Sequence, residues 1–312
     1  MKAVVVDQQH KLVLKDVSAP SPARHEAVVR VAAISLNRGE TKRAKTIMPE
    51  GARPGWDAAG VVEKAAADGS GPKEGQRVVG VLSTMRAWGE QAAIPTNMLA
   101  VLPDNVTFAQ AACLPVAGLT ALHALDRRGS ILGRKVLITG ASGGVGHFAC
   151  RLANLAGAHV VAAVRKDADV ALVKGYGAHD VAVIVDDPTK AGALGPYDLI
   201  VESIGGASLA ASMSMLNPDG LISFIGNTEG AETKLDASKF FWTGAAQIYG
   251  LILFRDLQMK ESGTVGLNRL LSFVSRGLIK PDIALEKPWT EIDTVAQMLL
   301  DRSYHGKAVL HL

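Results

Sequence analysis

The chain has 312 residues, a formal net charge of +3, and 48% hydrophobic against 20% charged side chains. That length holds one large or two modest domains with real cores, and the balance excludes a disordered chain. So small a positive charge, with no dense Lys/Arg cluster, gives no grip on a nucleic-acid backbone, and no run approaches the ~20 apolar residues of a membrane span.

Residues 1–100 read as short strands: KAVVV, KLVLKDV, EAVVRVAAISL, WDAAGVVEKAA and QRVVGVL. Gly and Pro punctuate them in APSP, EGARPG and DGSGPKEG, which predicts a compact, mostly-β domain. RAKTIMPEGARPG reads as a solvated loop rim. MKAVVVDQQHKL alternates like a strand and lacks an apolar signal core with a cleavage site. Through PDNVTFAQAACLPVAGLTALHALDRRG the period turns helical, with Thr107 as N-cap and Gly129 shortly after the helix.

From residue 135 strands and helices alternate: KVLIT, a helix over 144–156, HVVAAV, a helix near 168–175, and VAVIV. YDLIVESI, a helix over 207–216 and GLISFIG follow. Near-continuous apolar strands joined by crossover helices predict a parallel sheet buried on both faces, so the fold class is α/β. The remainder is mixed: QIYGLILF, a helix around 262–276 ending at Gly277, TEIDTVAQMLLDRSY, and a last strand KAVLHL. The expected division is a β domain over 1–115, completed by 256–312, and a doubly wound domain over 116–255.

KVLITGASGGVGHFACRLANLAGAHVVAAVRK, residues 135–166, carries the chemistry. Ala141, Gly143 and Gly146 stand where a GxGxxG fingerprint has its glycines. Alone, that match is as well explained by a tight turn. Here it follows an apolar strand, opens a helix of small residues (Ala149, Ala153, Ala156) and precedes a second parallel strand. Backbone N–H groups of Ser142, Gly143, Gly144, Val145 and Gly146 then converge with the positive helix end on a dinucleotide pyrophosphate.

At the end of the next strand an NAD site usually has Asp or Glu. This chain has Arg165 and Lys166, and a guanidinium pairs with the 2′-phosphate of NADPH where a carboxylate repels it. Two other readings stay open: the pair is merely solvated, or Asp167 takes the acid's place. The preferred cofactor is NADPH.

These residues resemble the medium-chain dehydrogenase/reductase superfamily, and within it the zinc-free quinone oxidoreductases and alkene reductases. The likeness runs nearly end to end: PGWDAAGVV, GQRVVG, LPVAGLTALHAL, ASGGVG, YDLIVESIGG, GLISFIGN and HGKAVLHL. It implies a GroES-like mostly-β catalytic domain beside a Rossmann domain, with cofactor and substrate in the cleft. It also implies a homodimer joined through the edges of the parallel sheets, for which AAQIYGLILF is suited; the scarcity of cysteine, with no apolar signal core and no span, makes a cytoplasmic enzyme or binding protein the default. The two cysteines, Cys113 and Cys150, fit a reducing compartment and read as helix core.

Zinc-dependent relatives carry Cys and His where this chain has Asn37 or its neighbours and Trp56, and a further thiolate near LPVAG, so no metal is expected. Hydride transfer then needs an acceptor that is already polarised, a quinone or an α,β-unsaturated carbonyl, in an apolar slot with one or two donors.

By resemblance Asn37 lies near nicotinamide and substrate and orients a carbonyl; the other reading is a turn-forming Asn. Thr120 matches a threonine near the nicotinamide, and Lys307 a lysine close to the cofactor. Ser203, Gly226 and Asn227 follow consecutive strand ends, where ligands gather on a parallel sheet. Tyr249 reads as a donor in the substrate slot or as a residue buried in the dimer strand. Arg38, Lys42, Arg43 and Lys45 keep open an enoyl-thioester reductase, and a non-catalytic NADPH-binding redox sensor is the remaining alternative.

Overall fold

The computed structural model describes residues 1–312, which fall into two units: Met1–Leu119 with Leu257–Leu312, and Thr120–Asp256.

In the first unit, β1 (Lys2–Val6) and β2 (Leu12–Asp16) form a separate hairpin. A larger sheet is built on β3 (Glu26–Ser35), β4 (Asp57–Lys64), β5 (Arg77–Val81), β6 (Gln91–Pro95) and β7 (Leu99–Val101). The ten residues of β3 are long enough to pair with β4 on one side and with β6 on the other. Trp88, Ile34 and Ile94 are buried in the core of this unit.

Between β3 and β4 runs α1 (Arg38–Thr46), which replaces the solvated loop expected at its C-terminal half. Asn37 caps it: the Asn37 N–H donates to Glu40 Oε1 (2.9 Å), the reciprocal half of a capping box. α2 (Phe108–Ala112) begins at the expected cap, with Gln110 N donating to Thr107 Oγ1 at 3.1 Å. The long helix expected after Thr107 is broken, because Pro115 lacks an N–H and the turn over Leu114–Gly118 widens to i→i+5 bonding. α3 (Leu119–Asp126) then leads into the second unit.

There β8 (Lys135–Thr139), α4 (Gly146–Leu155), β9 (His159–Val164), α5 (Val170–Gly175) and β10 (Asp180–Val183) succeed one another. β11 (Tyr197–Glu202), α6 (Gly206–Met213), β12 (Leu216–Phe224), α7 (Ala237–Thr243) and β13 (Gln247–Gly250) complete the unit. All six strands are parallel in the order β10-β9-β8-β11-β12-β13. Val136, Leu137 and Ile138 are all buried, which is why the strand reads as an unbroken apolar run. The helix expected over 207–216 stops at Met213 because Leu216 already pairs with Tyr197. β13 ends at Gly250, since the chain turns into α8 (Leu253–Met259) instead of continuing through QIYGLILF.

The first unit resumes with α9 (Gly263–Ser275), β14 (Ile283–Pro288), α10 (Ile292–Leu300) and β15 (Lys307–His311). β15 adds to its sheet beside β3, pairing Val309 with Ser35, and β14 lies parallel on the outer side of β15.

Candidate functional site

After β8 the chain reverses at Gly140, whose φ of +61° is left-handed, and Gly143 N bonds back to Gly140 O at 3.0 Å. His147 N reaches Gly143 O and Ala149 N reaches Val145 O, so helical bonding starts inside the glycine turn. The N–H groups of Ser142, Gly144, Val145 and Gly146 donate to no acceptor in the protein. A Cβ on Gly146 would lie 2.2 Å from Gly140 O, so only glycine lets α4 sit this close to β8. Open amides at a helix start form an anion cradle. It sits where the strand order changes direction, between β8 and β11, which is where a parallel sheet receives ligands.

The loops after β9, β11 and β12 surround that cradle. Ser203 is fixed on β8: its N–H donates to Thr139 Oγ1 at 2.9 Å and its hydroxyl to Thr139 O at 3.1 Å. Behind it Glu202 is buried and accepts from Ile204 N, Gly205 N (3.0 Å) and Ser208 Oγ (2.8 Å). Burial pushes its carboxyl up, and these donors pull it back. Gly226 is half-buried and Asn227 exposed in the loop after β12, which Thr228 ties to Ser203 O at 3.2 Å. Thr120 is buried on α3.

Arg165 is the first residue past β9, and Lys166 is exposed beside it. The Arg165 guanidinium lies 3.5 Å from Glu229 Oε1. Asp167 is exposed, whereas Asp169 is buried and accepts from Ser142 Oγ at 3.4 Å. A dinucleotide fits this donor set: amides for its diphosphate, cations and carboxylates at its adenosine end, and a fixed hydroxyl at the strand ends.

The first unit holds a buried charge cluster that the sequence did not signal. Lys307 donates to Asn37 Oδ1 (2.6 Å) and Leu36 O (2.8 Å) and stands 3.9 Å from Asp57 Oδ2. Asn37 Nδ2 donates to Glu40 Oε1 (2.9 Å) and Asp57 Oδ2 (2.8 Å). Trp56 N and Val116 N occupy the outer carboxylate oxygens of Glu40 and Asp57. Burial pushes the Asp57 carboxyl up to about 6 against the pull of Lys307; burial and the Asp57 charge hold Glu40 well above its usual range.

This arrangement engages two of the expected site residues within the protein. Both hydrogens of the Asn37 amide are taken by carboxylates and its oxygen by Lys307, so it orients this cluster and has no N–H left for a carbonyl. Lys307 is 2% exposed and spends its ammonium on Leu36 O and Asn37 Oδ1. Glu40 and Asp57 were the residues missed; the Asn-x-x-Glu capping box was the legible trace of the first.

Tyr249 is likewise engaged. Its hydroxyl donates to the buried Asp256 (2.6 Å) and accepts from Arg127 (2.7 Å), whose guanidinium stacks 4.0 Å from the ring centre. These bonds fasten the edge strand β13 to the turn after α3 and to α8, and fill the hydroxyl that was expected to serve a substrate. Two of the four rim cations are also committed. Arg38 donates to Leu299 O and Leu300 O at 3.1 Å, and Lys45 pairs with Asp293 at 2.7 Å.

Zinc does not suit these donors. Asn37 is saturated and Trp56 offers no lone pair. The Cys113 thiol, buried and donating to Ala109 O, is pushed up to about 12, far from the thiolate that zinc binds.

Residues 144–265 match the family model described as zinc-binding dehydrogenase, and residues 23–123 that of the alcohol dehydrogenase GroES-like domain. The chain is 31% identical to a chloroplast envelope quinone oxidoreductase homolog of Arabidopsis thaliana, over 94% of this chain and 92% of that protein. It is 31% identical to a 2-methylene-furan-3-one reductase of Solanum lycopersicum, over 95% of this chain and 74% of that one. The fold matches a crystal structure of Escherichia coli quinone oxidoreductase complexed with NADPH, at a TM-score of 0.88, 24% identity and full coverage of both chains.

Proposed function

The chain belongs to the medium-chain dehydrogenase/reductase superfamily, in its quinone oxidoreductase group, and from that premise we propose that it reduces quinones or α,β-unsaturated carbonyls with NADPH. The observation that carries the reading is the glycine turn, with four unclaimed amides beside a position too tight for any Cβ. NADPH, when bound, supplies the hydride.

The chain's own residues bind and orient. Amides of Ser142, Gly144, Val145 and Gly146 receive the diphosphate, and Gly143 holds the turn in shape. Arg165 and Lys166 meet the 2′-phosphate. Ser203, Gly226, Asn227 and Thr120 serve the nicotinamide end. The cluster around Lys307 acts at a distance: it locks the corner between β3 and α1 so that the first unit keeps a fixed wall. A conjugated carbonyl spreads incoming charge onto oxygen and so requires positioning more than a strong acid.

The relatives whose names specify a quinone or a furanone support this acceptor class. Stopped-flow oxidation of NADPH and NADH against 1,4-benzoquinone, an alkenal and crotonyl thioester tests it. Turnover of benzoquinone or the alkenal, faster with NADPH, is expected; turnover of simple alcohols alone would overturn the assignment.

We further infer a homodimer in the cytoplasm. β13 has β12 as its sole strand partner, and Ile248, Ile252, Phe241 and Trp242 are exposed on or near it, an edge a second copy would cover. Two free buried thiols suit a reducing compartment, and no helix is long and apolar enough to cross a membrane. Sedimentation at micromolar concentration should give twice the chain mass.

A further inference from the structure

We propose that Glu229 is a coenzyme-specificity residue, a carboxylate that competes with the 2′-phosphate for Arg165 and so keeps the enzyme open to both NADPH and NADH. The inference rests on the coenzyme reading above and deepens it.

Glu229 is not a loose surface acid. Its N–H donates to Ile204 O at 2.9 Å, and the next residue, Gly230, bridges to Gly205. One residue earlier, Thr228 is tied to Ser203 O. The loop after β12 is therefore stitched to the loop after β11 on both sides of Glu229, and this anchoring aims its carboxylate at Arg165, 3.5 Å away. Arg165 and Glu229 are both about half exposed, at 44% and 45%, so solvent and ligand reach the pair.

A phosphate at the ribose 2′ position takes the place of the carboxylate on the guanidinium. It also meets the negative charge of Glu229, with Asp167 and the buried Asp169 in the same loop segment as Arg165. A 2′-hydroxyl meets no such conflict, since a carboxylate accepts its hydrogen, the arrangement that NAD sites use. Arg165 thus favours one coenzyme and Glu229 the other, and their contact makes the two preferences oppose each other. An arginine with no acid beside it would give strict NADPH use.

The test is calorimetric titration of the full chain with adenosine 2′,5′-bisphosphate and with 5′-AMP, comparing wild type, Glu229→Gln and Arg165→Gln. These fragments report the adenosine end without turnover. Glu229→Gln should tighten the bisphosphate about threefold to tenfold, by releasing a surface ion pair and removing a like charge, with 5′-AMP unchanged or weaker. Arg165→Gln should weaken the bisphosphate and spare 5′-AMP. Bisphosphate affinity unmoved by Glu229→Gln, or both ligands tightened equally, would overturn the inference while leaving the coenzyme site standing. Wild type that binds neither nucleotide would overturn both. Because residue 229 is exposed, an unaltered melting curve for Glu229→Gln serves as the folding control.

Discussion

Replacing Lys307 by Met tests the buried cluster, and its cost can be worked out contact by contact. The substitution keeps most of the stem volume and deletes the ammonium. Leu36 O and Asn37 Oδ1, both in buried surroundings, lose their donors at 2.8 and 2.6 Å. Stranding each acceptor costs about 1 kcal/mol at the lower end, independent of pH. Asp57 loses its counter-charge and must take up a proton. With Lys307 present its carboxyl titrates near 6, so holding that proton at pH 7 costs one further unit, about 1.4 kcal/mol, and at pH 5 nothing. The expected deficit is therefore about 3–4 kcal/mol at pH 7 and about 2 kcal/mol at pH 5, within the range for breaking a buried pair. Urea unfolding followed by tryptophan emission reads it, because Trp56, Trp88 and Trp289 all lie in the first unit. Measured against Asp57→Asn alone, the deficit of the double variant Lys307→Met/Asp57→Asn should no longer vary with pH. A single-variant deficit equal at both pH values, or below about 1 kcal/mol at pH 7, would refute the reasoning.

Asp57→Asn alone should change how stability depends on pH. A carboxyl raised from about 4 to about 6 binds more protons folded than unfolded in that window, so wild-type stability falls as pH rises through it. The variant should lack that decline, and parallel urea midpoints between pH 4.5 and 7 would contradict it. Gly146→Ala puts a methyl 2.2 Å from Gly140 O and 2.6 Å from the Ala141 Cα, so α4 must shift. Overpacking costs about 1–3 kcal/mol, and NADPH affinity by fluorescence titration should fall at least about tenfold. The thiols of Cys113 and Cys150, raised from 9.0 to about 12, should react about a thousandfold more slowly than free cysteine with an aromatic disulfide reagent. Denaturation should restore both, and labelling of either in the native protein at the free rate would count against this burial.

The parallel sheet was legible because its central strands β8, β9 and β11 are almost wholly buried apolar runs and the crossover between β8 and β9 carries helical spacing. The glycine turn was legible because its residues serve local backbone geometry within one short stretch. The cluster around Lys307 was not, since residues 37, 40, 57 and 307 meet only through strand pairing. Register sets Asp57 opposite Ser35 on one side of β3 and Val309 opposite Ser35 on the other. No local pattern encodes that meeting. Asn37 was noticed by resemblance as a carbonyl-orienting amide, although Glu40, Asp57 and Lys307 take up its side chain, and Tyr249 for a hydroxyl that Arg127 and Asp256 had already claimed. The opposition of Arg165 and Glu229 was hidden for the same reason, as 64 residues separate them.

The pairing of β15 with β3 has a consequence for biosynthesis. β3 leaves the ribosome early, yet the strand that completes its sheet is made some 270 residues later, at the pace of translation. The whole of Thr120–Asp256 emerges in between and is free to acquire its own core first. The first unit must meanwhile wait with Asn37, Glu40 and Asp57 lacking their cation, an interval in which chaperones have something to shield. Nascent chains halted before residue 307 should thus present one finished body and one unfinished sheet.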